Sequence, residues 1–131
     1  MRMRSGFSAL VLTAAMSFAA CDESPTGPSS GAVAVVEVGS EVFRVWLRTP
    51  DQIEAARAAL AGGPASIPNG RIVSGTEVNT GWSWHLEDVT FAAVTIELCD
   101  GRPSAVEREG TAFGGGRFCP WSARVVSVNE L

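Results

Sequence analysis

Gly81-Trp82-Ser83-Trp84-His85-Leu86-Glu87-Asp88, then Ile96-Glu97-Leu98-Cys99-Asp100, then Phe118-Cys119-Pro120-Trp121-Ser122: these three stretches hold three of the four Trp, the single His and two of the three Cys. Their reading decides the fold. From Trp82 the alternation sets Trp82, Trp84 and Leu86 on one face and Ser83, His85 and Glu87 on the other, the period-2 pattern of a half-buried strand. Phe91 to Cys99 alternates in the same way, with Val94, Ile96 and Leu98 facing one side and Thr95, Glu97 and Cys99 the other. It reads as the best strand of the chain. Asp100-Gly101-Arg102-Pro103 breaks it, and Ser104 opens a short helical turn to Glu109, with Glu107 at the capping-box distance.

Upstream, Ala32 to Val38 and Glu41 to Arg48 read as two antiparallel strands joined at Gly39-Ser40. In the second, Phe43, Val45 and Leu47 face one way and Val42, Arg44, Trp46 and Arg48 the other. Thr49-Pro50-Asp51 then starts a helix: Thr as N-cap, Pro where its missing N–H costs nothing, and an acid in the first turn. Ile53, Ala56 and Leu60 form a narrow apolar stripe, and Gly62-Gly63-Pro64 ends the run. Pro64 to Asn69 reads as loop, Gly70 to Gly75 as a short strand, and Glu77 to Gly81 as another loop. Thr111 to Gly116 reads as a mobile glycine-rich loop without the Lys-Ser/Thr of a phosphate-binding loop. Ser122 to Val128 is the closing strand. The expected class is α+β: one antiparallel sheet of about five or six strands, one main helix packed on it, and a disulfide.

Met1 to Ala20 combines basic Arg2 and Arg4, an apolar run and small residues before Cys21, the make-up of a secretory signal and too short for a spanning helix. Ser17-Phe18-Ala19-Ala20-Cys21 resembles a bacterial lipoprotein box, although Leu is more usual at the place of Phe18. That resemblance implies lipidation of Cys21 and a lipid-anchored, extracytoplasmic place in a bacterial envelope. Residues 21–31, polar and rich in Pro and Gly beyond the Cys, read as a flexible tether, and 32–131 as one globular domain. All ten basic residues are Arg; without the leader, eight face 14 acidic side chains, a net charge of -6. Such a surface repels phosphate backbones, which argues against a nucleic-acid partner.

Three readings compete for the chemistry. Cys99 and Cys119 are an even pair in a compartment that permits disulfides. Alternatively, His85, Cys99 and Cys119, with Glu97 or Asp100, supply ligands that zinc accepts, although their spacing matches no known zinc motif. A Cys-His nucleophile pair oriented by Glu97 requires one free thiol. His85 by itself reads as a structural hydrogen-bond partner of Glu97 or Asp100. The four Trp read first as core, with Trp46 expected to be partly exposed beside Arg44 and Arg48. The alternative for Trp is an aromatic platform for a protein, peptide or glycan.

Five segments carry a further resemblance. Leu47 to Arg57, Gly70 to Val73, Trp82 to Leu86, Ile96 to Asp100 with Val106-Glu107, and Phe118 to Ser122 together resemble the N-terminal domain of the BP-seventy-four type of calmodulin-binding protein, which also occurs in secreted bacterial proteins. The resemblance runs from about Phe43 to Val126 and implies a fold boundary. It implies no catalytic residues and no cofactor. In that family Asp-Pro often follows the His-Leu, where this chain has Glu87-Asp88, so the turn there is open to differ. The calmodulin link is not implied, since the one good helix lacks the basic amphipathic face such targets need. The expected function is a non-enzymatic, membrane-anchored binding domain whose ligand surface comes from the 76–91 and 101–121 loops, with His85, Glu97, Asp100 and Trp121 as its candidate residues. The alternative is a small metal- or thiol-dependent enzyme centred on His85, Cys99 and Cys119.

Overall fold

The computed structural model describes residues 30–131. The signal over 1–20, Cys21 and all of the tether but its last two residues lie outside the described residues. Strands β1 (Ala32–Val38) and β2 (Glu41–Leu47) form the expected hairpin, with Gly39 in the left-handed region that its tight turn requires (φ 62°). Burial alternates along both, so that Ala34, Val36, Phe43 and Val45 point inward. After helix α1 (Pro50–Leu60) come strands β3 (Ile67–Ser74) and β4 (Trp84–Ala92), helix α2 (Pro103–Glu109), the two-residue strand β5 (Arg117–Phe118) and strand β6 (Ala123–Glu130).

The six strands make two antiparallel three-stranded sheets, in the orders β2-β1-β6 and β4-β3-β5, rather than one sheet. Alternation tells which side chains share a face but not which strand pairs with which, and that is where the single-sheet expectation fails. The two sheets meet through Phe43, Trp84 and Phe118, whose rings lie 5.3–5.8 Å apart, and Phe113 stands edge-on to Phe118 at 5.8 Å. Helix α1 lies against β6 and β4 and inserts Ala56 and Ala59. It is not the only helix: α2 adds buried Pro103 and Val106.

Thr49 caps α1 as expected, and Gln52 completes the capping box by accepting from the Thr49 N–H at 3.2 Å. Ser104 does not cap α2. Arg102 stands at that position with no side-chain bond, while the Ser104 N–H and hydroxyl both donate to Glu41 on β2, at 2.8 and 3.0 Å. Glu107 is likewise spent elsewhere. It accepts from the backbone N–H and the hydroxyl of Ser83, and these bonds hold its carboxyl below the usual value. Tertiary partners here outcompete the local capping box.

The largest departure concerns Phe91 to Cys99. Only Phe91 and Ala92 belong to a strand; 93–96 runs free and Glu97–Cys99 is a 3-10 turn. The reason lies in the neighbour. Ala92 pairs with Ile67, the first residue of β3, and beyond it the ladder has no partner. β3 itself begins three residues earlier than the expected Gly70, taking in part of the stretch read as loop.

The loop between β3 and β4 closes the open edge of β2. The Asn79 side chain is fully buried, accepting from the Arg44 N–H at 2.8 Å and donating to the Trp84 carbonyl at 2.9 Å. Trp82 Nε1 donates to the Val42 carbonyl at 2.8 Å, so two outward backbone groups of the edge strand are taken within the chain. Asn79→Ala leaves one backbone N–H and one C=O without partners, and a loss of about 2 kcal/mol is expected in urea denaturation. A loss under about 0.5 kcal/mol would show that water replaces the amide.

Candidate functional site

Among the described residues two places stand out, one at each end of β4. The first follows its last residue. Val94, Ile96 and Leu98 are 80%, 65% and 67% exposed, and Trp121 is 43% exposed. Alternation in the sequence makes these aliphatic side chains look like a core face; without a partner strand they stand outward. The segment is nonetheless held from below. A disulfide joins Cys99 to Cys119, with Cα atoms 5.1 Å apart, and both are buried with Ile67 in a small apolar cluster of their own. The Cys119 N–H donates to the Cys99 carbonyl at 2.8 Å. Asp100 accepts from the backbone N–H of Gly101 at 2.9 Å and of Trp121 at 2.8 Å, tying the Trp121 backbone beside the turn.

Gly114 completes the support. It sits in the left-handed region (φ 57°), and a Cβ there would come within 2.8 Å of the Cys99 Cα. The glycine-rich stretch expected to be a mobile loop is thus mostly a 3-10 turn packed under the disulfide. Beyond closing a loop, the bridge anchors the end of this exposed apolar row at Cys99. Glu97 and Asp100, both exposed, give that row an acidic rim.

The second place lies at the start of β4. His85 is 6% exposed, and its Nδ1 stands 2.6 Å from the Gly75 carbonyl. A carbonyl only accepts, so Nδ1 carries the hydrogen. Its Nε2 faces Glu77 Oε2 at 3.0 Å and Glu87 Oε1 at 3.3 Å. The other oxygen of each carboxylate meets an arginine, Arg48 for Glu77 and Arg71 for Glu87, both at 2.9 Å. Arg71 also reaches Asp88 at 3.4 Å, and Arg48 stacks on Trp46 at 3.8 Å from the ring centre. The hydrogen bond with His85, and then the Arg71 guanidinium, hold the Glu87 carboxyl below its usual value against the opposing effect of desolvation.

The expected site residues therefore divide. His85 binds Gly75, Glu77 and Glu87 rather than Glu97 or Asp100. Asp100 and Trp121 belong with the disulfide, and Glu97 with the apolar row. Because the disulfide takes up both sulfurs, the zinc set of His85, Cys99 and Cys119 and the Cys-His nucleophile pair are corrected by the structure. Trp84 is core, as expected; Trp82, expected there too, is half-buried and packed against the core from outside, and Trp46 is partly exposed, as expected. Nothing in the sequence marks Glu77 as a partner of His85, since the two meet only through the fold of the intervening loop.

The family model of the BP-seventy-four N-terminal domain matches residues 30–131. The chain belongs to that family. No curated protein and no solved structure matches it. Within this BP-seventy-four N-terminal domain, the stretches that carried the resemblance prove to be the frame: the Thr49 cap, the Trp84 and Phe118 rings, the disulfide, and the Glu107 clasp on Ser83. At the place where Asp-Pro is frequent, this member has Glu87-Asp88, and Asp88 sits at φ 53°, a value closed to proline, in a bulge of β4 against β3. No helix among the described residues is long and apolar enough to cross a membrane.

Proposed function

We propose that this BP-seventy-four N-terminal domain is a non-enzymatic binding module, held on the outer side of a bacterial membrane by a lipid on Cys21, and that it docks a protein or peptide on the row Val94, Ile96, Leu98 with Trp121. The observation that carries the reading is the exposure of that row, three large aliphatic side chains at 65–80% on a segment braced by a disulfide. Singly scattered exposed apolar residues are ordinary; three large ones within five residues of chain, running up to a disulfide, favour an interaction surface. The chemistry favours a polypeptide over a glycan, because sugar platforms need aromatic faces and here three of four side chains are aliphatic. Glu97 and Asp100 on the rim favour a basic residue next to the partner's apolar ones.

A library of displayed random peptides selected on the purified chain tests this. Selected peptides are expected to pair apolar residues with Arg or Lys. The triple change Val94→Ser, Ile96→Ser, Leu98→Ser is expected to weaken their binding at least about tenfold while leaving the unfolding temperature within a few degrees, since exposed side chains add little to stability. Equal binding by the wild type and the triple variant would contradict the assignment.

A further inference from the structure

The geometry around His85 points to a second site of a different kind: we propose that His85 Nε2, Glu77 Oε2 and Glu87 Oε1 bind one divalent transition-metal cation of the zinc type. Among the described residues this is the one cluster that gathers three such ligand atoms, all within 4.8 Å of one another. It is independent of the docking row, which lies beyond the other end of β4.

The tautomer carries the first step. With the Nδ1 hydrogen committed to the Gly75 carbonyl at 2.6 Å, Nε2, on a side chain that is 8% exposed, either carries a second proton donated to the carboxylates or presents a lone pair. Its neighbours at 3.0 and 3.3 Å are carboxylate oxygens, which offer no hydrogen. A buried acceptor facing two acceptors requires a positive charge between them, either a proton or a metal ion.

Two features favour the metal. Around a tetrahedral zinc with bonds of about 2.0–2.1 Å, neighbouring ligand atoms stand ~3.3 Å apart, and the two distances from Nε2 to the carboxylate oxygens fall close to that edge. The supporting groups are those a metal site uses: a carbonyl fixing the far nitrogen of the imidazole, and a hydrogen bond on the far oxygen of each ligand carboxylate, from Arg48 and Arg71 at 2.9 Å.

The chain contains a single His, which makes the test direct. Tag-free protein freed of metal with a chelator is titrated with Zn²⁺, following stoichiometry by calorimetry and the two imidazole nitrogens by ¹⁵N spectroscopy. One equivalent is expected to bind, moving the Nε2 resonance and leaving Nδ1 protonated. Glu77→Gln and Glu87→Gln, which keep the side-chain shape, are expected to weaken binding at least about tenfold; His85→Ala is expected to abolish it, with the Gln variants covering the case that it fails to fold. No binding at one equivalent, or binding unchanged by both Gln variants, overturns the proposal and leaves His85 as an imidazolium held by two carboxylates.

Discussion

Phe118→Ala is expected to lose about 3–5 kcal/mol of stability, the largest effect of any single change considered for this chain. Phe118 is fully buried on a strand of only two residues, yet it touches both sheets. Its ring lies 5.3 Å from Phe43, 5.6 Å from Trp84 and 5.8 Å from Phe113. Truncation removes its transfer energy, opens a cavity that three large rings cannot easily fill, and forfeits edge-on contacts worth about 0.5–1.5 kcal/mol each. Urea denaturation measures the loss directly. If the Ala variant does not fold, Phe118→Leu, which retains most of the volume, is expected to fold with a smaller loss. A change of under about 1 kcal/mol for Phe118→Ala would mean that the sheets are held together elsewhere.

Replacing both Cys99 and Cys119 by Ala is expected to cost about 3 kcal/mol, as the chain-entropy account gives for a closed loop of roughly twenty residues. The bridge spans a sequence separation of 20 and encloses α2, the glycine-rich turn and β5. Its loss therefore frees the segment that delivers Phe118 to the core as well as the base of the apolar row. Denaturation with and without reductant reads the stability. Hydrogen exchange is expected to rise first at residues 97–101 and 117–121, since Cys119 bonds the Cys99 carbonyl beside the bridge. An unchanged denaturation midpoint after reduction would show that packing around Ile67 and Gly114 suffices.

Much of the frame was legible because its causes are local. Thr49-Pro50 announces a helix start through capping chemistry, and the alternation of Phe43, Val45 and Leu47 names the buried face of β2. The disulfide followed from reading Cys99 and Cys119 as an even pair. What was not legible depends on partners distant in sequence. Val94, Ile96 and Leu98 have the pattern of a core strand, and only the start of β3 at Ile67 decides that they have nothing to pair with. Ser104 and Glu107 have the spacing of a capping box, but Glu41 and Ser83 claim them. Likewise, His85 meets Glu77 only because a loop closed by Asn79 and Trp82 returns that carboxylate to it. For the apolar row and the capping box a local signal was present and the tertiary surroundings overrode it; for Glu77 there was no local signal.

The apolar row beyond β4 is the proposed docking surface of the domain. The most direct test is the footprint of a selected peptide, read by amide chemical-shift mapping on the purified chain. Perturbations confined to residues 93–98 and 119–122 are the predicted result. A footprint on α1, or on the 76–88 region around His85, with residues 93–98 unmoved, would contradict it.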